Sequence, residues 1–358
     1  MELRESVSLK ELTTLQTGGT ARYFAVAGSA AELREAVAIA KEKDLPFFIL
    51  GGGSNLLVSQ GIIDAVVVQN SIRGVEWRDE EASVLAVSGA GENWDALVAE
   101  SVRRGLWGLE NLSGIPGTVG AAPVQNIGAY GAELAELLAW VEGFDALSGE
   151  TKTLSLEACR LSYRESFFKT AAGKNFIITR VALRLKKDGA PNLSYKDLQQ
   201  YFSAKPTPTL AEIRTAVLEV RSKKFPDLTQ FGTAGSFFKN PIVSTEAFAA
   251  LKKRFPDLPG FQLPRLPTRL PIGGQVGGQA TTNYQVPSFK IPLAWILEHL
   301  CNLKGLRKGS VGLFPNQPIV LVNYGGATAE EIRAFAEEIE RIVREKTGIT
   351  IEREVVLV

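Results

Sequence analysis

Histidine is nearly missing from this chain of 358 residues: there is one, His299, and cysteine is limited to Cys159 and Cys301. Zinc sites built on two or three histidines are therefore out of reach, with only two thiols to substitute. A Ser-His-Asp triad would have to recruit His299. That residue lies in "AWILEHL", whose apolar spacing predicts an amphipathic helix with the histidine in or beside the core. Two cysteines far apart in sequence do not make a disulfide framework. Charge bias is lacking too: 40 Lys+Arg against 39 Asp+Glu leave a net charge of +1, so no basic field predicts a nucleic-acid partner. There is no run of ~18 uninterrupted apolar residues of the kind that spans a membrane. The opening "MELRESVSLKELTTLQTGG" has no apolar core of signal-peptide length. The expected setting is cytoplasmic, with no membrane and no metal. Chemistry then falls to carboxylates, Arg, Lys, Ser, Tyr or a bound cofactor.

What is present is an ordinary globular composition, 45% hydrophobic and 22% charged, at a length that predicts two or three domains. Three helices are announced by a Ser or Thr with Glu three residues later: Ser29 with Glu32, Thr209 with Glu212, and Thr328 with Glu331. Val- and Ile-rich stretches predict strands at "PFFIL", "AVVVQ", "SVLAVSG", "FIITRVALRL", "PIVLVN" and "TIEREVVLV". The order opens β-α-β and then mixes helices with paired strands, an α+β or mixed α/β arrangement without internal repeats. Boundaries are expected near 70 and 223, giving segments 1–70, 71–222 and 223–349, with 350–358 returning to an earlier sheet. Phe255 to Pro292 holds seven of the 17 prolines and reads as a long ordered loop or lid.

Three glycine-rich segments crowd the first part of the chain. "LGGGSNLLV" follows an apolar strand, and its N–H groups, with Ser54 and Asn55, suit a phosphate. Its spacing fits neither the dinucleotide fingerprint nor a Walker A loop. "VSGAGENWDALV" repeats the strand–turn–helix logic. "GIPGTVGAAPVQNIGAYG", 114 to 131, has five glycines and no charge. Together they suggest a large flat ligand approached by main chain, an extended dinucleotide, with Gln125 and Asn126 as amide contacts and Tyr130 as an aromatic wall. Glycines that merely let chain pack on chain are the alternative. Elsewhere, "LSYRESFFK" groups Tyr163, Arg164 and Glu165, in which Arg164 beside Tyr163 reads as a fork for a carboxylate or phosphate, or else as part of a surface ion pair. "FGTAGSFFKNP" offers Ser236 as a proton donor or a turn cap. "VRSKKFP" clusters Arg221, Lys223 and Lys224, on a solvated face or against a diphosphate. Strict alternation in "TIEREVVLV" puts Glu352 and Glu354 on the face of Val356 and Val358.

Taken with "TTLQTGGTARYF", "LSYKDL" and "NLKG", these segments closely resemble the UDP-N-acetylenolpyruvoylglucosamine reductase family, in its order and over nearly the whole chain. "LSYKDL" resembles the subtype with a substrate-loop tyrosine. The resemblance implies a vanillyl-alcohol-oxidase/PCMH-type FAD-binding fold of two lobes plus a third α+β substrate-binding domain. The lobes would be 1–70 and 71–222, the substrate domain 223–349, and 350–358 would return to the first lobe. It implies FAD as cofactor, NADPH as hydride donor, UDP-N-acetylglucosamine enolpyruvate as substrate, and a monomer. FAD would be lined by Gly51, Gly52, Gly53, Ser54, Asn55, Ser113, Gly114, Ile115, Pro116, Gly117, Gly120, Ala121, Gln125, Asn126, Gly128, Ala129 and Tyr130. Catalysis would fall to Arg164, Ser236 and Glu354, with Glu352 the alternative acid one pleat away. Tyr195, Lys224 and Asn240 would hold the nucleotide-sugar. An FAD-linked oxidase of the same fold and an inactive flavin-binding module are the alternatives. Two departures stand out: a longer Pro/Gly-rich segment after "GSFFKNP", and "LAWILE" where the family has "AGWLIE".

Overall fold

The computed structural model describes residues 1–205, 207–263 and 288–358. Three sheets organise it. In the first, strands follow the order Leu3–Ser8, Thr20–Ala27, Ile62–Asn70 and Phe47–Leu50, the first pair antiparallel and the other two parallel. The crossover helix Ala30–Glu42 begins where Ser29 Oγ accepts the Glu32 N–H at 3.2 Å, satisfying an otherwise orphaned donor. Its buried Leu33, Ala36 and Ala40 pack with Val66 and Val68, and with Phe144 and Ile177 from the next sheet. The two lobes thus share apolar surface.

The second sheet is antiparallel throughout: Thr151–Ser155, Leu138–Asp145, Phe176–Lys186, Ser83–Gly89 and Val75–Asp79. Helix Trp94–Arg103 packs Trp94, Leu97 and Val98 into its core. Helix Leu210–Lys224, opened by the Thr209/Glu212 capping box, buries Ile213, Ala216 and Val217 beside Tyr130 and Leu198.

The third sheet runs Gly232–Ser236, Gln317–Asn323, Val311–Phe314 and Arg307–Lys308. Helix Ala329–Thr347, with the Thr328/Glu331 capping box, buries Ile332, Phe335, Ile339 and Val343 in the core that also holds Phe237 and Phe238. Of the proline-rich stretch, 264–287 lies outside the described residues. Its flanks, Phe261–Gln262 and Ser288–Lys290, pair with each other, and Ser288–Lys290 also pairs with Ile242–Ser244.

Two local expectations fail. "AWILEHL" is a short α-turn, Leu293–Trp295, continued by a π-helix, Ile296–Leu300, in which Ile296 O accepts the Cys301 N–H at 3.0 Å. His299 is exposed there, its ring 4.9 Å from that of Trp295. The last nine residues are also not one alternating strand. Glu352 is exposed and Glu354 buried, because the chain changes partners at Val355. Before it, Arg353 bridges Phe238 and Glu354 N–H donates to Phe237 O; after it, Val356–Leu357 pairs in parallel with Leu56–Leu57.

Candidate active site and cofactor cradle

The loop after strand Phe47–Leu50 demands glycine. Gly53 has φ +63°, and a Cβ there would lie 1.9 Å from Leu12 O. A Cβ on Gly52 would lie 2.7 Å from Gly117 Cα, so the first and third glycine-rich segments touch backbone to backbone. Gly51 lies against Thr118, Gly120 against Ala90 of the second segment, and Ser54 Oγ donates to Pro116 O at 2.9 Å. The chain-on-chain reading of these glycines therefore holds, and the same packing assembles a bare backbone surface. The N–H groups of Gly52, Gly53 and Ser54 meet no carbonyl among the described residues. Free donors on a glycine turn fit the diphosphate of a dinucleotide such as FAD.

Not every candidate there faces outward. Ser113 is fully buried and its hydroxyl donates to Glu110 O at 2.6 Å. Gly114 N–H is held by Asp95 Oδ1 at 2.6 Å, and Arg214 forks onto the same carboxylate at 2.6 and 2.8 Å. Burial pushes the Asp95 pKa up, but Arg214 and the Gly114 N–H outweigh it and hold it below its ordinary value.

The third segment ends in a polar cluster. Asn55 Nδ2 donates to Gln125 Oε1 at 2.6 Å and to Glu354 O at 3.1 Å. Asn126 and Arg164 both take left-handed backbone, φ 45° and 56°. Arg164 donates to Asn126 O at 3.4 Å and to Gly128 O at 3.2 Å, while Lys169 Nζ donates to Arg164 O at 2.7 Å. Arg164 Nε lies 2.8 Å from Glu354 Oε1, side chains 18% and 8% exposed, so this ion pair is largely desolvated. The carboxylate is off the line of the N–H, leaving the buried Nε hydrogen without an aligned acceptor. Burial works against the guanidinium charge, and Glu354, with smaller help from Tyr163 and Glu133, outweighs it and raises the Arg164 pKa. Of the two candidate acids, only Glu354 meets Arg164; Glu352 is exposed and pairs with Lys239 at 3.0 Å. Half-buried Ser236 ends strand Gly232–Ser236, just before the residues that ladder with Arg353 and Glu354.

A second cluster adjoins Tyr130. Its ring meets that of Tyr195 edge-on at 5.2 Å. Lys224 Nζ is 5.2 Å from the Tyr195 ring centroid and 3.5 Å from its hydroxyl, and is ion-paired with Asp197. Desolvation of Lys224 is outweighed by Asp197 and Tyr195, so its pKa is raised and the ammonium stays charged. Arg221 lies against Gly114, and its charge is disfavoured by burial, which lowers its pKa. Asn240 is farther off: Oδ1 accepts the Leu293 N–H at 2.9 Å and its own N–H donates to Tyr163 Oη at 3.1 Å. Asp95, Lys169, Asp197 and Lys239 were missed by sequence reasoning. Lys169 and Lys239 sit inside "YRESFFK" and "GSFFKNP", so those two could have been found in the motifs themselves.

Residues 21–156 match the FAD binding domain family, and residues 227–358 match the C-terminal domain of UDP-N-acetylenolpyruvoylglucosamine reductase. Fold and cradle thus define an FAD-containing oxidoreductase, α+β, with an FAD-binding domain followed by a C-terminal domain. The UDP-N-acetylenolpyruvoylglucosamine reductase of Cupriavidus pinatubonensis is 40% identical over 356 residues, covering 99% of both chains. That of Pseudomonas aeruginosa is 39% identical, covering 99% of this chain and 98% of the relative. The solved Thermus caldophilus reductase superposes with TM-score 0.64 at 25% identity over 99% of each chain. The chain belongs to the UDP-N-acetylenolpyruvoylglucosamine reductase family.

Proposed function

We propose that the chain reduces the enolpyruvyl group of UDP-N-acetylglucosamine enolpyruvate to the lactyl group of UDP-N-acetylmuramate, with NADPH as hydride donor, in peptidoglycan precursor synthesis. FAD held there would supply the hydride-transfer chemistry between NADPH and the enolpyruvyl group. The free N–H groups of Gly52–Ser54 are assigned to its diphosphate, and the segment from Gln125 to Tyr130 to its ring system. As hydride arrives, negative charge grows toward the substrate carboxylate. Arg164, already oriented by two backbone carbonyls and Glu354, stabilises that charge where it develops. Ser236 Oγ–H delivers the proton to the adjacent carbon, so the double bond gains one hydride and one proton. Lys224 and Arg221 supply positive charge for the nucleotide diphosphate, Lys224 exchanging Asp197 for a phosphate oxygen. Tyr195 closes over the sugar, and Asn240 offers its amide N–H₂.

The single observation that carries the reading is the desolvated Arg164–Glu354 pair built against Asn126 and Gly128. A substrate whose carboxylate gains negative charge during the step gives such a cation a use at that place. The test is an anaerobic visible spectrum: NADPH bleaches the flavin band, and the enolpyruvyl nucleotide-sugar restores it. Bleaching without recovery would remove the substrate from the reading. Ser236→Ala is expected to retain flavin and lose substrate-driven recovery; unchanged recovery would take Ser236 out of the mechanism. A cytoplasmic monomer is the proposed form, checked by sedimentation of the holoprotein.

A further inference from the structure

We propose that Lys239 is a positioning residue for the reduction step: one ammonium that fastens together the three chain segments carrying Arg164, Ser236 and Glu354. The proposal rests on the roles assigned above to those three residues. Lys239 Nζ lies 2.6 Å from Glu165 Oε1 and 3.0 Å from Glu352 Oε2. Its backbone N–H donates to Glu352 O at 2.8 Å. Glu165 is the neighbour of Arg164, Glu352 stands two residues before Glu354, and Lys239 three after Ser236. The three segments are remote in sequence, Lys239 being 74 residues from Glu165 and 113 from Glu352, and the ammonium adds to the main-chain ladder that Phe237 and Phe238 make with Arg353 and Glu354.

The Lys239 side chain is 16% exposed, whereas Glu165 and Glu352 are 49% and 72% exposed. One partly buried ammonium shared by two exposed carboxylates is already held at its own end, so less side-chain freedom is lost in making the clamp than in a fully exposed pair. The clamp lies in the wall of a cleft of about 680 Å³, together with Tyr163 and Asn240. Lys239 has no direct bond to Arg164 or Glu354 among the bonds described, so it acts through the backbone on either side of them. Arg164 sits in left-handed backbone and Glu354 beside the bend at Val355, two places where a slack segment would turn a side chain away. A misplacement of about 1 Å in such a group is enough to cost on the order of 100-fold in rate.

The experiment separates the half-reactions by stopped flow in the holoenzyme. For Lys239→Met we expect flavin content and reduction by NADPH to match wild type. Reoxidation by the enolpyruvyl nucleotide-sugar slows by about 10- to 100-fold, with kcat changed more than KM. Lys239→Arg, which can still reach both carboxylates, restores reoxidation to within about threefold. The double variant Glu165→Gln/Glu352→Gln, which keeps the lysine, reproduces the Met variant and guards against a folding defect. Wild-type reoxidation in Lys239→Met, or in the double variant, overturns the proposal. So does an equal loss in both half-reactions, or failure of arginine to rescue. If the wild-type enzyme is not reoxidised by this substrate, it is the assigned reaction that fails instead.

Discussion

The cradle and the polar cluster adjoin one another and are built on opposite principles. At Gly52, Gly53 and Gly117 the chain presents main chain, and what matters is that no side chain is there. At Arg164, Asn55 and Glu354 the backbone is a carrier, and what matters is which side chains meet. The cradle tolerates loss of polar groups but not an added methyl. The cluster tolerates neither loss of a charge nor a change of partner. A ligand that must be held for many turnovers meets fixed backbone donors. The reacting group, which changes charge during the step, meets ionic side chains that can respond.

The largest effect is expected where the cluster is broken. Arg164→Met strands the buried Glu354 carboxylate, which costs about 3 kcal/mol in urea unfolding. It also removes charge stabilisation worth about 10³ in kcat/KM. Retained turnover would mean that the pair is only structural. Next comes Gly53→Ala, which places a Cβ against Leu12 O at a φ of +63°. A cost of about 1–3 kcal/mol is expected, with loss of flavin absorbance after gel filtration. Ser54→Ala in the same loop should keep the flavin; if it does not, side chains matter in the cradle after all. Third, Lys224→Ala raises KM for the nucleotide-sugar by about 10- to 100-fold, the value of a charge-assisted hydrogen bond, with flavin retention unchanged.

The smallest effect concerns Glu110, buried beneath the third glycine segment with Oε2 on Gly108 N–H at 2.6 Å. Burial raises its pKa above the ordinary 4.5. Its ionised form is therefore disfavoured in the fold, and the associated stability is present below the ordinary value and lost as pH rises through the native one. Glu110→Gln should unfold at a higher temperature than wild type at neutral pH, the difference closing as the solution is acidified below that range. A difference independent of pH would mean that the effect is one of packing.

The contrast also explains what could be read from the sequence. Helix starts at Ser29, Thr209 and Thr328 were legible because a cap is a contact across three residues. The glycine segments were legible because the demand for a missing Cβ is written at the position itself. The choice of Glu354 over Glu352 as the partner of Arg164 came from the resemblance and not from alternation, which presumes one partner strand where the chain changes partners at Val355. The π-helix at Ile296–Leu300 escaped because its apolar spacing mimics an α-turn; the bond from Cys301 N–H to Ile296 O, five residues apart, marks the difference. Asp197 was invisible as the partner of Lys224, since nothing in "SYKDL" says which helix lies opposite.

The bond from Asn55 to the Glu354 carbonyl joins residues 299 apart. Closing so long a span is entropically unrewarded until the intervening sheets exist, so during folding this junction forms after them, not before. Turnover is then a stricter reporter of completed folding than any spectroscopic signal from helix or sheet. On gentle denaturation the enzyme should fall silent while its lobes are still intact.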